Sequence, residues 1–144
     1  MKLAGVPFAV DNGAFGAWKD GYWFDEFSFL RVLSAVQKAE LRPLWIVTPD
    51  IVAGGKDSLE FSLYWRKRMP GAPLALAVQD GMEPSDVLPH VGAFRCIFIG
   101  GSVNWKWENA RKWSDFAHKN GLLCHIGRVG NIELMDRAER AGAD

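Results

Sequence analysis

The residues that could do chemistry in this 144-residue chain stand within three positions of the ends of its short apolar runs. Asp11 follows the first run, Asp50 the second and Gln79 the third, while the fourth ends in a Gly-Gly-Ser segment at 100–102 and Arg128 follows the fifth. The carboxyl ends of parallel strands meet at one edge of a sheet or barrel. We therefore expect two carboxylates, a carboxamide, a glycine pair and an arginine to converge there.

This combination suits the recognition of a flat heterocycle. A carboxylate accepts two hydrogen bonds from the N1–H and 2-amino group of a guanine-like edge, while a carboxamide and free glycine amides donate to its 6-oxo group. Taken singly, Asp, Asn and Gly also form ordinary turns between a strand and a helix. Because five successive strand ends carry such residues, the pattern favours a binding site.

The elements that must position these residues are an alternation of strands and helices. The apolar runs lack polar alternation, which is typical of strands covered on both faces. They lie at 7–10, 44–47, 74–78, 96–99 and 122–126. Five strand-helix repeats predict parallel βαβ units and an α/β fold.

The helical patterns have recognisable ends. Asp25 and Asn131 are typical N-caps, and Asp57 begins a capping-box pattern. A short helix is predicted from Pro84, and the longest one over about 105–120.

Two α/β architectures remain open. One is a (β/α)₈ barrel of the TIM type, of which this chain would supply about five βα units, since such barrels typically need about 250 residues. The other is an open, five-stranded, doubly wound parallel sheet. Residues 1–144 are predicted to form one domain, because no linker or charge block divides them. The final residues fall where a sixth strand is expected, so we expect a truncated barrel that self-associates through exposed sheet edges.

Four segments resemble the tRNA-guanine transglycosylase superfamily. The segment 11–15 (DNGAF) is similar to its Asp-Ser-Gly-Gly-Phe motif and 78–81 (VQDG) to its Val-Gln-Gly-Gly motif. The segment 99–102 (IGGS) resembles Ile-Gly-Gly-Leu, and 126–130 (IGRVG) resembles Met-Gly-Val-Gly. The likeness runs from about residue 8 to 144. It is closest to the phage and bacterial branch that places 7-deazaguanines in DNA, the deoxypurine-in-DNA protein A type.

The resemblance implies a (β/α)₈ barrel that exchanges a base at C1′ of a nucleotide, replacing guanine with a 7-deazaguanine, in DNA rather than tRNA. It gives Asp11 the role of catalytic acid/base. The residues that it implies for base binding are Asp50, Gln79, Gly100, Gly101 and Ser102. The family's nucleophilic aspartate lies beyond the segment matched by this chain. The alternative function is therefore a purine-binding module without catalysis.

Arg128 and two residues after the fourth run extend this predicted site. The fixed charge of Arg128 suits a phosphate or carboxylate. Trp105 and Lys106 interleave an aromatic ring with a cation and predict a nucleic-acid contact. Lysine plus arginine equals aspartate plus glutamate, 17 of each, so nucleic acid would have to bind a local patch, since bulk charge is ruled out.

Cofactor and compartment follow from composition. Two cysteines and three histidines show no metal-ligand spacing, so no metal or cofactor is predicted. No run approaches the roughly 18–20 apolar residues of a membrane helix, and the first residues do not form a secretory signal. These features predict a cytoplasmic protein, in the host cytoplasm if it is phage-encoded. An unrelated TIM-barrel hydrolase or aldolase is a third candidate, but no strand end carries a Schiff-base lysine.

Overall fold

The computed structural model describes residues 5–144, which form an α/β fold around a parallel sheet. The strands are β1 (Ile46–Val47), β2 (Leu74–Val78), β3 (Cys96–Ile99) and β4 (Leu123–Ile126). The helices are α1 (Ala14–Lys19), α2 (Glu26–Lys38), α3 (Gly55–Arg68), α4 (Pro84–Val87), α5 (Val103–Lys119) and α6 (Ile132–Arg140), and a 3₁₀ helix over Leu88–Ala93 follows α4. The α/β prediction is confirmed.

The sheet follows the order of the chain. Its order is β1-β2-β3-β4 and every neighbouring pair is parallel. A doubly wound sheet reverses its strand order at a switch point, and this sheet has no reversal within the described residues. The doubly wound alternative was therefore wrong.

The first predicted strand, at 7–10, adds only a single bridge to the sheet. Val10 forms an isolated parallel bridge with Ile46. The Val10 N–H donates to the Trp45 carbonyl at 3.0 Å, and the Val10 carbonyl accepts from the Val47 N–H at 2.8 Å. Pro7 has no N–H to add to a ladder. The five predicted strands are thus four strands and a bridge.

The two faces of the sheet are covered differently. On one face, alternate strand residues such as Leu76, Ile97 and Cys124 join buried side chains of the helices, including Trp65 and Trp113, in the main core. On the other face, the residues between them form a small cluster without helical members. That cluster consists of Val47, Ala75, Ala77 and Cys96, with Trp45 and Phe98 packed against it. The long helices therefore lie on one side of the sheet, which leaves the other side as a concave interior.

The sheet is curved around this interior. The Trp45 ring, beside β1, lies 5.6 Å from the ring of His125 on β4, although three strand spacings separate them, about 14 Å in a flat sheet. Phe98 stands between them in strand order, 5.2 Å from the His125 ring. This convergence indicates that the sheet is strongly twisted and curved toward this face.

Most helix ends match the sequence patterns. The Asp25 side chain accepts a hydrogen bond from the Ser28 N–H at 3.0 Å, and the Asn131 side chain accepts one from the Leu134 N–H at 2.8 Å. Both predicted caps are therefore confirmed. The capping box at Asp57 was wrong, because α3 begins two residues earlier with Gly54 as its N-cap. Within residues 5–144, no helix has the length and apolar character needed to cross a membrane.

Candidate functional site

The residues predicted at the strand ends surround one cavity of about 370 Å³. It lies at the carboxyl ends of β1 to β4 and beside α1. The lining includes all seven residues predicted for catalysis and substrate binding: Asp11, Asp50, Gln79, Gly100, Gly101, Ser102 and Arg128. The topology therefore brings together side chains that are up to 117 positions apart in the chain.

Asp50 lies at the centre of a hydrogen-bond network on the cavity wall. Its Oδ1 accepts from Asn12 Nδ2 at 2.7 Å, and its Oδ2 lies 3.4 Å from Gln79 Nε2. Asn12 is itself fixed, because Nδ2 also donates to the Thr48 carbonyl at 2.9 Å and Oδ1 accepts from the Ala14 N–H at 2.8 Å. This network holds one carboxylate at a defined place in the cavity.

The environment of that carboxylate makes its ionisation less favourable than in water. Burial raises the pKa of Asp50 above its ordinary value, the hydrogen bond from Asn12 opposes the rise, and the charge of nearby Asp11 adds to it. Two carboxylates near one another resist ionising together. A ligand that donates hydrogen bonds to Asp50 would relieve this unfavourable charge.

Gln79 supports Asp50 and has no amide donor left for a base. Its Nε2 donates to Ser58 Oγ at 2.9 Å as well as facing Asp50, and its Oε1 accepts from the Gly54 N–H at 3.0 Å. Both amide hydrogens thus have protein partners. Gln79 lines the cavity as expected, but its predicted role in reading the base edge does not fit these contacts.

Ser102 also has a partner within the protein, and the space beside Gly101 is filled. Asp80 accepts from the Ser102 N–H at 2.7 Å and from Ser102 Oγ at 2.6 Å. A Cβ on Gly101 would lie 2.6 Å from the Trp105 ring and 2.7 Å from the Asp80 carboxylate, so the space beside this glycine is filled by the protein. The Ser102 amide is therefore not a free donor to a base, contrary to the prediction.

Asp80 also lines the cavity and was not among the residues predicted from the sequence. Burial acts to raise the pKa of Asp80, but the Ser102 hydrogen bonds and the charge of Arg128 together lower it below the ordinary value. It is therefore an ionised group that follows β2 and lies beside the N-terminus of α5. Its place directly after Gln79 at a strand end was the signal that could have identified it.

Asp11 is the least constrained of the three carboxylates. Its Oδ1 accepts from the Gly13 N–H at 3.1 Å in a local turn, and the side chain is exposed at the cavity edge. This arrangement leaves Asp11 Oδ2 accessible to a ligand.

Arg128 reaches over the cavity from the loop after β4. Its guanidinium donates to the Gly101 carbonyl and lies 4.6 Å from the centre of the Phe15 ring. Phe15, Trp18 and Phe98 provide the aromatic part of the lining. The cavity thus combines flat apolar walls with carboxylates and one guanidinium.

Two cavity residues adopt strained backbone conformations. Ala53 has a φ of 59° and Arg128 a φ of 58°, in the left-handed region that disfavours residues with a side chain. The third such residue in the described chain, Glu40, follows the end of α2, where this conformation is common. Strain of this kind clusters at functional sites.

Trp105 and Lys106 do not line the cavity. Lys106 is only 2% exposed, and its ammonium donates to the Gly127 carbonyl at 2.8 Å. Trp105 packs against the core and against Gly101. The predicted nucleic-acid contact through Lys106 was wrong, because the first turn of α5 directs this lysine beneath the loop that carries Arg128.

Metal-ligating side chains do not cluster around the cavity. In the described part of the chain, no three His, Cys, Asp or Glu residues are grouped so that they could hold a metal ion. Cys96 and Cys124 are buried as free thiols, and burial raises the pKa of each to about 12.

Comparison with known proteins adds no relative. No protein-family model, curated protein or solved structure matches this chain. A function is therefore inferred from the cavity and the sequence motifs.

Proposed function

We propose that this chain binds a guanine-type base in the cavity at the strand ends and exchanges bases at C1′ of a nucleotide. The observation that carries the proposal is the convergence of Asp11, Asp50 and Arg128 on one cavity with aromatic walls. A base of this type offers N–H donors along one edge, an acceptor oxygen and two flat faces.

The binding mode follows from the groups that remain accessible. Asp50, held by Asn12 and Gln79, accepts from the N1–H and 2-amino groups of the base. Arg128 has five N–H donors, of which one faces Gly101, so others can donate to the 6-oxo group. Phe15 and Phe98 supply apolar surface for the ring.

The exchange requires the transfer of one proton from the incoming base to the released base. The bond from C1′ to N9 of guanine breaks, the bond from C1′ to the incoming 7-deazaguanine forms, and the proton lost by the incoming base is taken up by the released guanine. Asp11, exposed at the cavity edge with Oδ2 accessible, is the acid/base that transfers it. General acid/base catalysis contributes about 10²–10⁴ in rate.

The proposed fold is a (β/α)₈-type barrel arrangement. Three observations support it: the consecutive parallel strand order, the helical cover on one face and the curvature that brings Trp45 to His125. We take DNA as the preferred substrate over tRNA on the motif resemblance, and the cytoplasm as the compartment.

A base-exchange assay tests the function. Radiolabelled guanine is incubated with the protein and a guanine-containing DNA or RNA oligonucleotide, and incorporation is measured. We expect incorporation into DNA, at least 100-fold slower in Asp11→Asn and unchanged in Asp20→Asn, an exposed aspartate at the end of α1. Equal rates for Asp11→Asn and the unmodified chain would remove Asp11 from its role.

The alternative is a purine-binding module without catalysis. The observation that favours it is the engagement of Asp50 and Asp80 by protein donors. Of the three cavity carboxylates in the described residues, this leaves Asp11 alone with an oxygen that has no protein partner. Binding of guanine without any incorporation, in both DNA and RNA, would select this alternative.

A further inference from the structure

The contact between Phe15 and Arg128 joins the two ends of the site. Phe15 lies on α1, just after the Val10 bridge, and Arg128 follows β4 at the opposite end of the strand order. Four strand spacings separate these ends, about 19 Å in a flat sheet. The guanidinium nevertheless lies 4.6 Å from the Phe15 ring centre, so this contact closes the rim.

The α1 helix has little else to hold it in place. It is six residues long, and Ala14 is its one buried side chain. None of its residues belongs to the apolar core within the described chain, and Phe15 and Trp18 are 40% and 51% exposed. Segments with so few buried contacts open most readily in native proteins.

The loop that carries Arg128, in contrast, is held in place by buried hydrogen bonding. The Lys106 ammonium, buried beneath the loop, donates to the carbonyl of Gly127, directly before Arg128. Asp80, the acidic group near the guanidinium, is held by two hydrogen bonds from Ser102. The backbone at Arg128 is therefore anchored, and α1 can either contact the arginine or move away from it.

The position of α1 also controls two cavities. Trp18 lines the site cavity and a neighbouring one of about 430 Å³, and Asp50 and Val52 lie in the walls of both. Displacement of α1 would remove the Trp18 wall between them. We propose that α1 is a lid over the site and that Arg128 is the positioning residue that latches it closed through Phe15.

Hydrogen exchange measured by mass spectrometry tests the latch without any ligand, so its result is independent of the proposed function. The relevant amides are those of residues 17–22, where Ala17, Asp20 and Tyr22 donate to carbonyls of the α1 region. We expect Arg128→Ala to accelerate their exchange about tenfold and Arg128→Lys to accelerate it less. Exchange in β2 and β3 is expected to stay unchanged.

Two further variants make the outcome decisive. Phe15→Leu keeps an apolar side chain but removes the aromatic ring, and it should match Arg128→Ala. Arg111→Ala, which removes an exposed arginine paired with Asp115 on α5, should behave like the unmodified protein. The proposal is overturned if α1 exchange is unchanged in both Arg128→Ala and Phe15→Leu. It is equally overturned if both accelerate exchange uniformly in every element, since Arg128 would then support the whole fold.

Discussion

At the scale of single residues, the candidate site depends on the neighbours that each strand-end side chain finds. Asp50 is positioned by Asn12, which follows the Val10 bridge, and by Gln79, which follows β2. The positions of these residues were predictable, because an apolar run marks where each strand ends. Their partners were not, because the Gln79 contacts with Ser58 and Gly54 depend on how α3 packs against β2.

Replacement of Asp50 should separate binding from stability. The pKa of Asp50 is raised on folding, so its contribution to stability is present below its unfolded-state pKa and is lost as the pH rises through the folded-state pKa. The Asp50→Asn side chain does not ionise, so its stability does not fall in this way as the pH rises. We expect the variant to melt at pH 7 at the same temperature as the unmodified chain or higher, with guanine affinity at least tenfold weaker.

The matched control for this prediction is Asp57→Asn, in the first turn of α3. Thermal melting at pH 4 and pH 7 and calorimetric titration give both quantities. Retained guanine affinity in Asp50→Asn would show that this carboxylate does not contact the base.

At the scale of elements, boundaries set by local chemistry were predicted well and those set by tertiary contacts were not. Asp25 and Asn131 cap their helices through hydrogen bonds three residues away, which the sequence alone encodes. The α1 helix was missed because it is short and presents no apolar stripe to the core. The 7–10 segment was overestimated as a strand, because apolar composition does not report how many ladder bonds form.

The cap of α6 provides a test at this scale. Asn131→Ala leaves the Leu134 N–H without its acceptor, and we expect the free energy of unfolding to fall by about 1 kcal/mol. Asn104→Ala, at an exposed position in the first turn of α5, should change it by less than about 0.5 kcal/mol. Urea denaturation measures both. Equal effects of the two substitutions would show that the Asn131 hydrogen bond does not stabilise α6.

At the scale of the whole molecule, the sheet is curved, and within residues 5–144 Asp144 is the one residue that pairs with the outer edge of β4. Asp144 donates its N–H to the Cys124 carbonyl at 2.9 Å and accepts from the Cys124 N–H at 2.7 Å through its side chain. This pairing covers one residue of the edge, near His118, which contacts the Asp144 carboxylate at 2.9 Å. The parallel topology was predictable from the alternation of elements. The curvature was not, since it follows from how the strands twist together.

Exposed sheet edges lead us to expect self-association of this chain. Unpaired strand edges accept further strands from other molecules. Light scattering over a range of protein concentrations should show a mass that rises above 16.1 kDa. A constant monomer mass with cooperative melting would contradict the expectation.

Calorimetric titration with free bases tests the central claim most directly. We predict saturable heat with guanine and 7-deazaguanine, and an affinity for both that is at least tenfold higher than for adenine. Adenine lacks the N1–H and 2-amino groups from which Asp50 would accept hydrogen bonds, and one bidentate pair is worth about 1–3 kcal/mol. Absence of heat with both bases, or equal affinity for adenine, would contradict it.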